Sequence, residues 1–316
     1  MNILITGITG SGGSYLAEFI KKEHPECKIH GICRWHSTGT EKNLNLISKD
    51  ISIYECDLLD LGSIIRTLQV VKPEIIFHLA SYANVRKCFD TPLSVVNNNI
   101  MGTANLLEGI KLVCPNCILH MCSTSEVYGN PQYTPIDEKH PIQPVNPYAV
   151  SKLTQESLSY AYYKSWGLKV IITRMFAYIN PRRTDLFASA FAKQIVEIEQ
   201  GKRKVLSHGN LHSTRTLIDV RDAMEAYWIA GQHCEFGVPY NIGGTTSLKI
   251  GEFLHEIIKY SKVPITTYED PILLRPTDID KQIPDASLFL AKTNWKPRYS
   301  LKDSIEFLLG HYRNET

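Results

Sequence analysis

The chain has 316 residues, of which 43% are hydrophobic and 21% charged, with 34 Lys and Arg against 32 Asp and Glu for a net charge of +2. That composition excludes a disordered or collagen-like chain, and the near-neutral balance supplies no general pull towards nucleic acid. At roughly 150 residues per domain, the length predicts about two structural units, or one large α/β unit with an appendage.

Residues 2–6 read as a buried strand with no basic leader and no small-residue cleavage site, which predicts a soluble, cytoplasmic protein. No apolar stretch reaches the ~18 residues needed to span a bilayer, so no membrane partner is expected. A glycine turn and a helix over 14–23 follow. Residues 28–34, 51–56 and 74–80 read as three further strands. Between the last two, 60–71 is a predicted helix with Asp60 as its cap and Pro73 just beyond its end. Helical spacing then covers 92–113, a fifth strand 118–123, a helix 148–166 and a sixth strand 169–174. Short apolar strands separated by helices predict a doubly wound parallel sheet covered on both faces, with ligands at one edge of the strands. After Arg174 the texture changes: Pro181-Arg182-Arg183 opens a basic stretch, and 187–200, 217–227 and 250–260 are predicted helices. No linker separates the halves, so a smaller C-terminal α/β unit should lie against the first, with a cleft between them.

Eight scattered cysteines do not form a disulfide framework, and they suit a reducing compartment. Cys114-Pro115-Asn116-Cys117 follows a helical pattern, the wrong end for a helix dipole to stabilise thiolate, and zinc would need two further ligands. His208-Gly209-Asn210-Leu211-His212 is a loop sequence. No metal is expected.

Gly7-Ile8-Thr9-Gly10-Ser11-Gly12-Gly13 sits between the first strand and the first helix. Such a turn gives a pyrophosphate a side-chain-free approach to a helix N-terminus. The second strand ends in Arg34 rather than an acid. A cation there can neutralise a ribose 2′-phosphate, which favours NADP and leaves NAD open. Tyr148-Ala149-Val150-Ser151-Lys152 places a phenol and an ammonium on one helix face. The ammonium is expected to lower the phenol pKa from ~10, so that the phenolate removes a hydroxyl proton while hydride leaves for nicotinamide.

Together with Ser123-Thr124-Ser125-Glu126-Val127-Tyr128-Gly129, these motifs resemble the extended short-chain dehydrogenase/reductase family over nearly the whole chain. Residues 5–10, 13–19 and 123–129 and Asn180-Pro181-Arg182-Arg183 look like the GDP-mannose 4,6-dehydratases. Residues 210–215, 274–277 and 294–297 look equally like the GDP-4-keto-6-deoxymannose reductases. The resemblance implies a Rossmann-like unit over 1–175 with a returning segment near 216–241, and a substrate unit over 176–215 and 242–316. It also implies a homodimer paired through the helices over 92–113 and 148–166.

By the same resemblance, Thr124 bonds the sugar C4 hydroxyl, Tyr148 is the base and Lys152 holds the cofactor ribose. Asp57 and Leu58 match the adenine-contacting pair, Leu79, Ala80, Ser81 and Ala83 the segment beside the cofactor, and Asn99 the supporting asparagine. Glu126 fits a base at C5, with Ser125 or Thr124 assisting loss of the C6 hydroxyl. Arg183, Lys193, Arg215 and Arg275 match positions facing the nucleotide diphosphate. One departure stands out: Ala177-Tyr178 replaces the usual Asn-His and removes an amide from the site. The expected activity is a GDP-mannose-type 4,6-dehydratase. The alternatives are a reductase, an epimerase or a decarboxylase of nucleotide sugars.

Overall fold

The structure is a computed structural model that describes residues 1–35 and 41–314. Its first part runs through β1 (Asn2–Thr6), α1 (Ser11–Glu23), β2 (Lys28–Cys33), β3 (Ile51–Glu55), α2 (Leu61–Val71) and β4 (Ile75–His78). Next come α3 (Lys87–Asp90), α4 (Pro92–Val96), α5 (Gly102–Val113), β5 (Ile118–Thr124), α6 (Pro147–Trp166) and β6 (Lys169–Met175). The second part opens with β7 (Tyr178–Ile179), α7 (Phe187–Glu199), β8 (Leu206–His208), β9 (Thr214–Asp219), α8 (Val220–His233) and β10 (Pro239–Ile242). It closes with β11 (Thr246–Lys249), α9 (Ile250–Ile258), β12 (Thr267–Glu269), β13 (Lys281–Gln282), α10 (Ser287–Thr293) and α11 (Leu301–Asn314).

Local chemistry sets the ends of the helices that matter for the site. Asp60 caps α2 by accepting from Gly62 N. Asn146 caps α6 by accepting from Ala149 N, Pro147 presets its first turn, and Gly167 ends it at φ 69°. The single helix expected over 92–113 is instead α4, a π-helical stretch at Asn97–Met101, and α5. That wider stretch carries the buried Asn99.

Seven strands form one sheet in the order β10-β6-β5-β4-β1-β2-β3, and every pair in it is parallel. Strand order reverses at β1, so the connections leaving β1 and β4 diverge and open a crevice at their carboxyl ends. Side-chain alternation explains why both faces are covered. Ile3 and Ile5 pack on one face with Leu16, Ile20 and Trp228 of α1 and α8. Leu4 packs on the other with Ile64, Leu68, Leu107 and Ile110 of α2 and α5. A third apolar cluster, with Phe191, Ile195, Phe253, Ile257 and Leu308, joins α7, α9 and α11. It lies in the second part, whose small sheet runs β11-β9-β13 with β7 on β9, while β12 pairs with β8.

The helix expected over 217–227 is corrected by the structure. Leu217 lies in β9, and α8 starts only at Val220, where Asp219 accepts from Arg221 N as its cap. Leu217, Val220, Met224 and Tyr227 repeat at helical spacing across the junction, so the pattern ran the helix back into a strand. Among the described residues no helix is long and apolar enough to cross a membrane.

Candidate active site

The carboxyl ends of β1, β4, β5 and β6 open with the second part onto a cleft of about 1240 Å³. At one end of it Gly7, Gly10, Ser11, Gly12 and Gly13 form the turn into α1, whose N-terminus no side chain caps. Gly7 has φ 69°, and a Cβ there would lie 2.9 Å from Ala80 Cα. A Cβ on Gly13 would collide with the Gly7 carbonyl oxygen. Both glycines are thus required by close backbone approach. Thr9 is buried under the turn, and its carbonyl accepts from Asn43 Nδ2 at 2.9 Å.

Beside the turn, Leu79, Ser81, Tyr82 and Ala83 line the cleft, and a buried polar chain holds them. Thr6 Oγ1 accepts from Ala80 N at 3.0 Å and bonds His78 Nδ1 at 2.8 Å. Burial pushes His78 down to about 3, so its ring stays neutral and bonds Thr103 Oγ1 through Nε2. Asn99 Oδ1 accepts from Tyr82 N at 2.8 Å, and Asn99 Nδ2 donates to Ser151 Oγ at 2.9 Å. Asn99 therefore sits behind the cleft wall, tying the 79–83 segment to α6.

Thr124 ends β5, and Ser125 and Glu126 begin a 3₁₀ turn in which Thr124 Oγ1 accepts from Glu126 N. Tyr148 lies in the first turn of α6 and Lys152 one turn further, both buried and both lining the cleft. Both Glu126 carboxylate oxygens are held: Asn146 Nδ2 donates to Oε2 at 3.0 Å, and Gln282 Nε2 to Oε1 at 3.1 Å. Lys152 Nζ donates to the Cys122 carbonyl at 2.8 Å, and burial pushes its ammonium down to about 8. Burial raises the Tyr148 phenol above its ordinary value, countered by the Arg183 charge and a hydrogen bond with Thr124. The Lys152 ammonium is engaged with the β5 backbone, and the Arg183 charge acts on the phenol in the direction of phenolate.

Arg183, Arg215 and Arg275 line the cleft. Arg183 forks onto Asp185 at 2.7 and 2.9 Å and donates to the Ala83 carbonyl, while Arg215 and Arg275 both face Asp278. Lys193 is a correction: it is exposed and outside the cleft. Helical spacing turns Phe187, Ala190, Phe191 and Gln194 of α7 inward instead. Arg34 follows β2, donates to Tyr82 Oη at 2.7 Å and lies 5.0 Å above its ring. Asp57 is exposed beyond β3, with Oδ1 accepting from Leu59 N, and Leu58 packs over Gly102.

Several cleft residues are not among the expected site residues, although Tyr178 stands out as a departure from the pattern of the family that the sequence resembles. Tyr178 and Tyr227 line it beside Tyr148, and Asp278 balances two arginines. Asn146 was readable as a cap before Pro147. Gln282 was not, because only the register of β13 on β9 brings it to Glu126. Among the described residues, no group of three or more His, Cys, Asp or Glu is placed to hold a metal ion.

A family model described as GDP-mannose 4,6 dehydratase matches residues 4–307. A GDP-mannose 4,6-dehydratase of Vibrio cholerae is 29% identical, covering 95% of this chain and 90% of that protein. A GDP-6-deoxy-D-mannose reductase of Pseudomonas aeruginosa is 27% identical, covering 99% of this chain and 97% of that one. Among solved structures, RMD from Pseudomonas aeruginosa complexed with NADPH superposes with a TM-score of 0.84 at 25% identity, covering all of both chains. UDP-glucuronic acid 4-epimerase from Bacillus cereus, in complex with UDP-glucuronic acid and NAD, gives 0.87 at 25% identity, again covering all of both.

Proposed function

The chain belongs to the GDP-mannose 4,6-dehydratase family, and from that premise we propose that it is a nucleotide-sugar 4,6-dehydratase acting on a GDP-mannose-type substrate. The observation that carries this reading is the position of Glu126. A carboxylate stands in the cleft on the same short turn as Thr124 and Ser125, beside Tyr148 and Lys152. Reduction or epimerisation at C4 has no use for a base at C5; elimination across C5 and C6 does.

The cleft fits a nicotinamide dinucleotide. The uncapped start of α1, the side-chain-free approach at Gly7 and Gly13, and the buried Ser81 Oγ, without a partner among the described residues, together present donors to a phosphate-bearing ligand. When bound, such a group would supply hydride acceptance from C4 and hydride return at C6. Lys152 and Ser81 would hold its ribose side, with Leu79 and Ala83 along it. Asp57 and Leu58 would meet the adenine end. Arg34, braced on Tyr82, would neutralise a 2′-phosphate, and that supports NADP over NAD.

Tyr148 takes the C4 hydroxyl proton, with Thr124 bonding the same oxygen and Arg183 favouring the phenolate. The resulting C4 carbonyl makes the C5 proton acidic, and Glu126 removes it. Ser125 or Thr124 then relays the proton held by Tyr148 to the departing C6 hydroxyl, and Glu126 returns its proton to C5 when hydride reaches C6. Arg215, Arg275 and Arg183 suit the diphosphate, since guanidinium forks match phosphate oxygens. The seven-stranded layer holds the cofactor in this scheme, and the second part the nucleotide. Buried thiols such as Cys56, Cys88 and Cys122 suit a reducing compartment such as the cytoplasm.

The test is incubation with GDP-mannose and catalytic NADP, without added reductant. The expected product is lighter by one water with no net NADPH, and Glu126→Gln lowers water loss by at least about 10²-fold while C4 oxidation persists. Turnover only with stoichiometric NADPH and a 4-keto sugar contradicts the reading. It would favour the second one, a 4-keto-6-deoxy-sugar reductase, to which the near-complete mutual coverage with the Pseudomonas aeruginosa reductase points.

A further inference from the structure

One of the two donors to the Glu126 carboxylate comes from the second part of the chain and itself lines the cleft. Gln282 Nε2 reaches Glu126 Oε1 across 156 positions of sequence. Gln282 is 3% exposed, ends β13 and pairs in register with Arg215 of β9, which lines the same cleft. The other donor, Asn146, is the cap of α6, two residues before Tyr148. The carboxylate is therefore strung between the helix that carries the phenol and the strand that carries an arginine.

Each carboxylate oxygen has two lone pairs, so one amide donor on each fixes the plane of the group and leaves a lone pair free to take a proton. A buried amide is unfavourable in a strand that an apolar side chain would fill equally well, unless its hydrogen bond serves the site. We propose that Gln282 is a positioning residue for Glu126, setting its carboxylate plane towards the sugar C5–H from the side of the cleft that holds the nucleotide. The proposal rests on the dehydratase reading, because only C5 deprotonation needs that alignment. Gln282 touches neither sugar nor cofactor in this scheme; it acts through Glu126. Because Gln282 and Arg215 are register partners, diphosphate binding and carboxylate alignment share one rigid strand pair.

The experiment compares the wild type with Gln282→Leu and Gln282→Met, which keep bulk and remove the donor, using GDP-mannose and NADP. Four readouts separate the steps: NADPH binding by fluorescence, C4 oxidation by rapid-mixing absorbance, steady-state water loss, and C5 exchange in deuterium oxide. Both variants should bind NADPH, oxidise C4 and keep the KM for the sugar at wild-type levels. Water loss and C5 exchange should fall together by about 10- to 100-fold, the scale of a misplaced catalytic group. Water loss at the wild-type rate in the Met variant overturns the proposal. A parallel loss of binding, oxidation and elimination overturns it too, by showing a packing role alone. A wild-type protein that oxidises C4 without ever losing water refutes the dehydratase reading itself, and the proposal with it.

Discussion

Lys152 carries its charge in a place that opposes charge. Burial pushes the ammonium down to about 8, and it donates to the Cys122 carbonyl. It is charged below that value and neutral above it. If Lys152 binds the cofactor ribose as an ammonium, NADPH affinity falls as pH rises through 8, and Lys152→Arg flattens the profile because guanidinium stays protonated. Fluorescence titration on both sides of pH 8 checks this; a flat wild-type profile contradicts it. Tyr148 tells a related story. The spacing Tyr148 to Lys152 was legible in the sequence and both side chains do line one cleft. The partner that favours phenolate was not legible, since Arg183 is brought in by the fold from beyond β6. Lys193 marks the same limit: a basic residue can be read from sequence, but the face of α7 that meets the cleft is decided by packing.

At the scale of elements, α6 organises the site. Its cap Asn146 reaches Glu126, its first two turns hold Tyr148 and Lys152, and Ser151 and Gln155 tie it to Asn99 and Thr103. A turn further on, Glu156 pairs with Arg174 of β6 at 2.7 Å, with both side chains almost fully buried. Ser123 donates to the same carboxylate, and Arg174 also donates to Tyr128 Oη at 2.9 Å. Removing one partner leaves an uncompensated buried charge, so Arg174→Met should cost about 3–5 kcal/mol of folding stability. Urea unfolding measures it, and a change near zero contradicts the account. Through β6 the element types were readable because each parallel strand is a short apolar run between helices, whereas β10 and the short strands of the second part were not read from the sequence. The exception at Leu217–Val220 arose where strand and helix share one apolar repeat, and only the Asp219 cap marks the junction. Gln282 escaped for a different reason: a two-residue strand has no periodicity to read.

For the whole molecule, the cleft depends on two parts of the chain meeting. Glu126 and Tyr148 come from the parallel layer, while Arg215, Arg275 and Gln282 come from the second part. The parallel layer also exposes apolar side chains on and beside the helices that neighbour the site. Leu93 is 81% exposed, Trp166 54%, Met101 48% and Val150 42%. The homodimer that the resemblance implies, paired through α4, α5 and α6, would bury them. Light scattering should give a dimer mass for the wild type and a monomer mass for the double variant Leu93→Glu, Val150→Glu; a monomeric wild type contradicts that pairing.

The two halves of the reaction meet in one prediction about a single hydrogen. GDP-mannose carrying deuterium at C4 is converted in ordinary water with catalytic NADP, and NMR locates the label in the product. Internal return of the hydride puts the deuterium in the C6 methyl group. Deuterium released into the soluble NADPH pool, or left at C4, contradicts it.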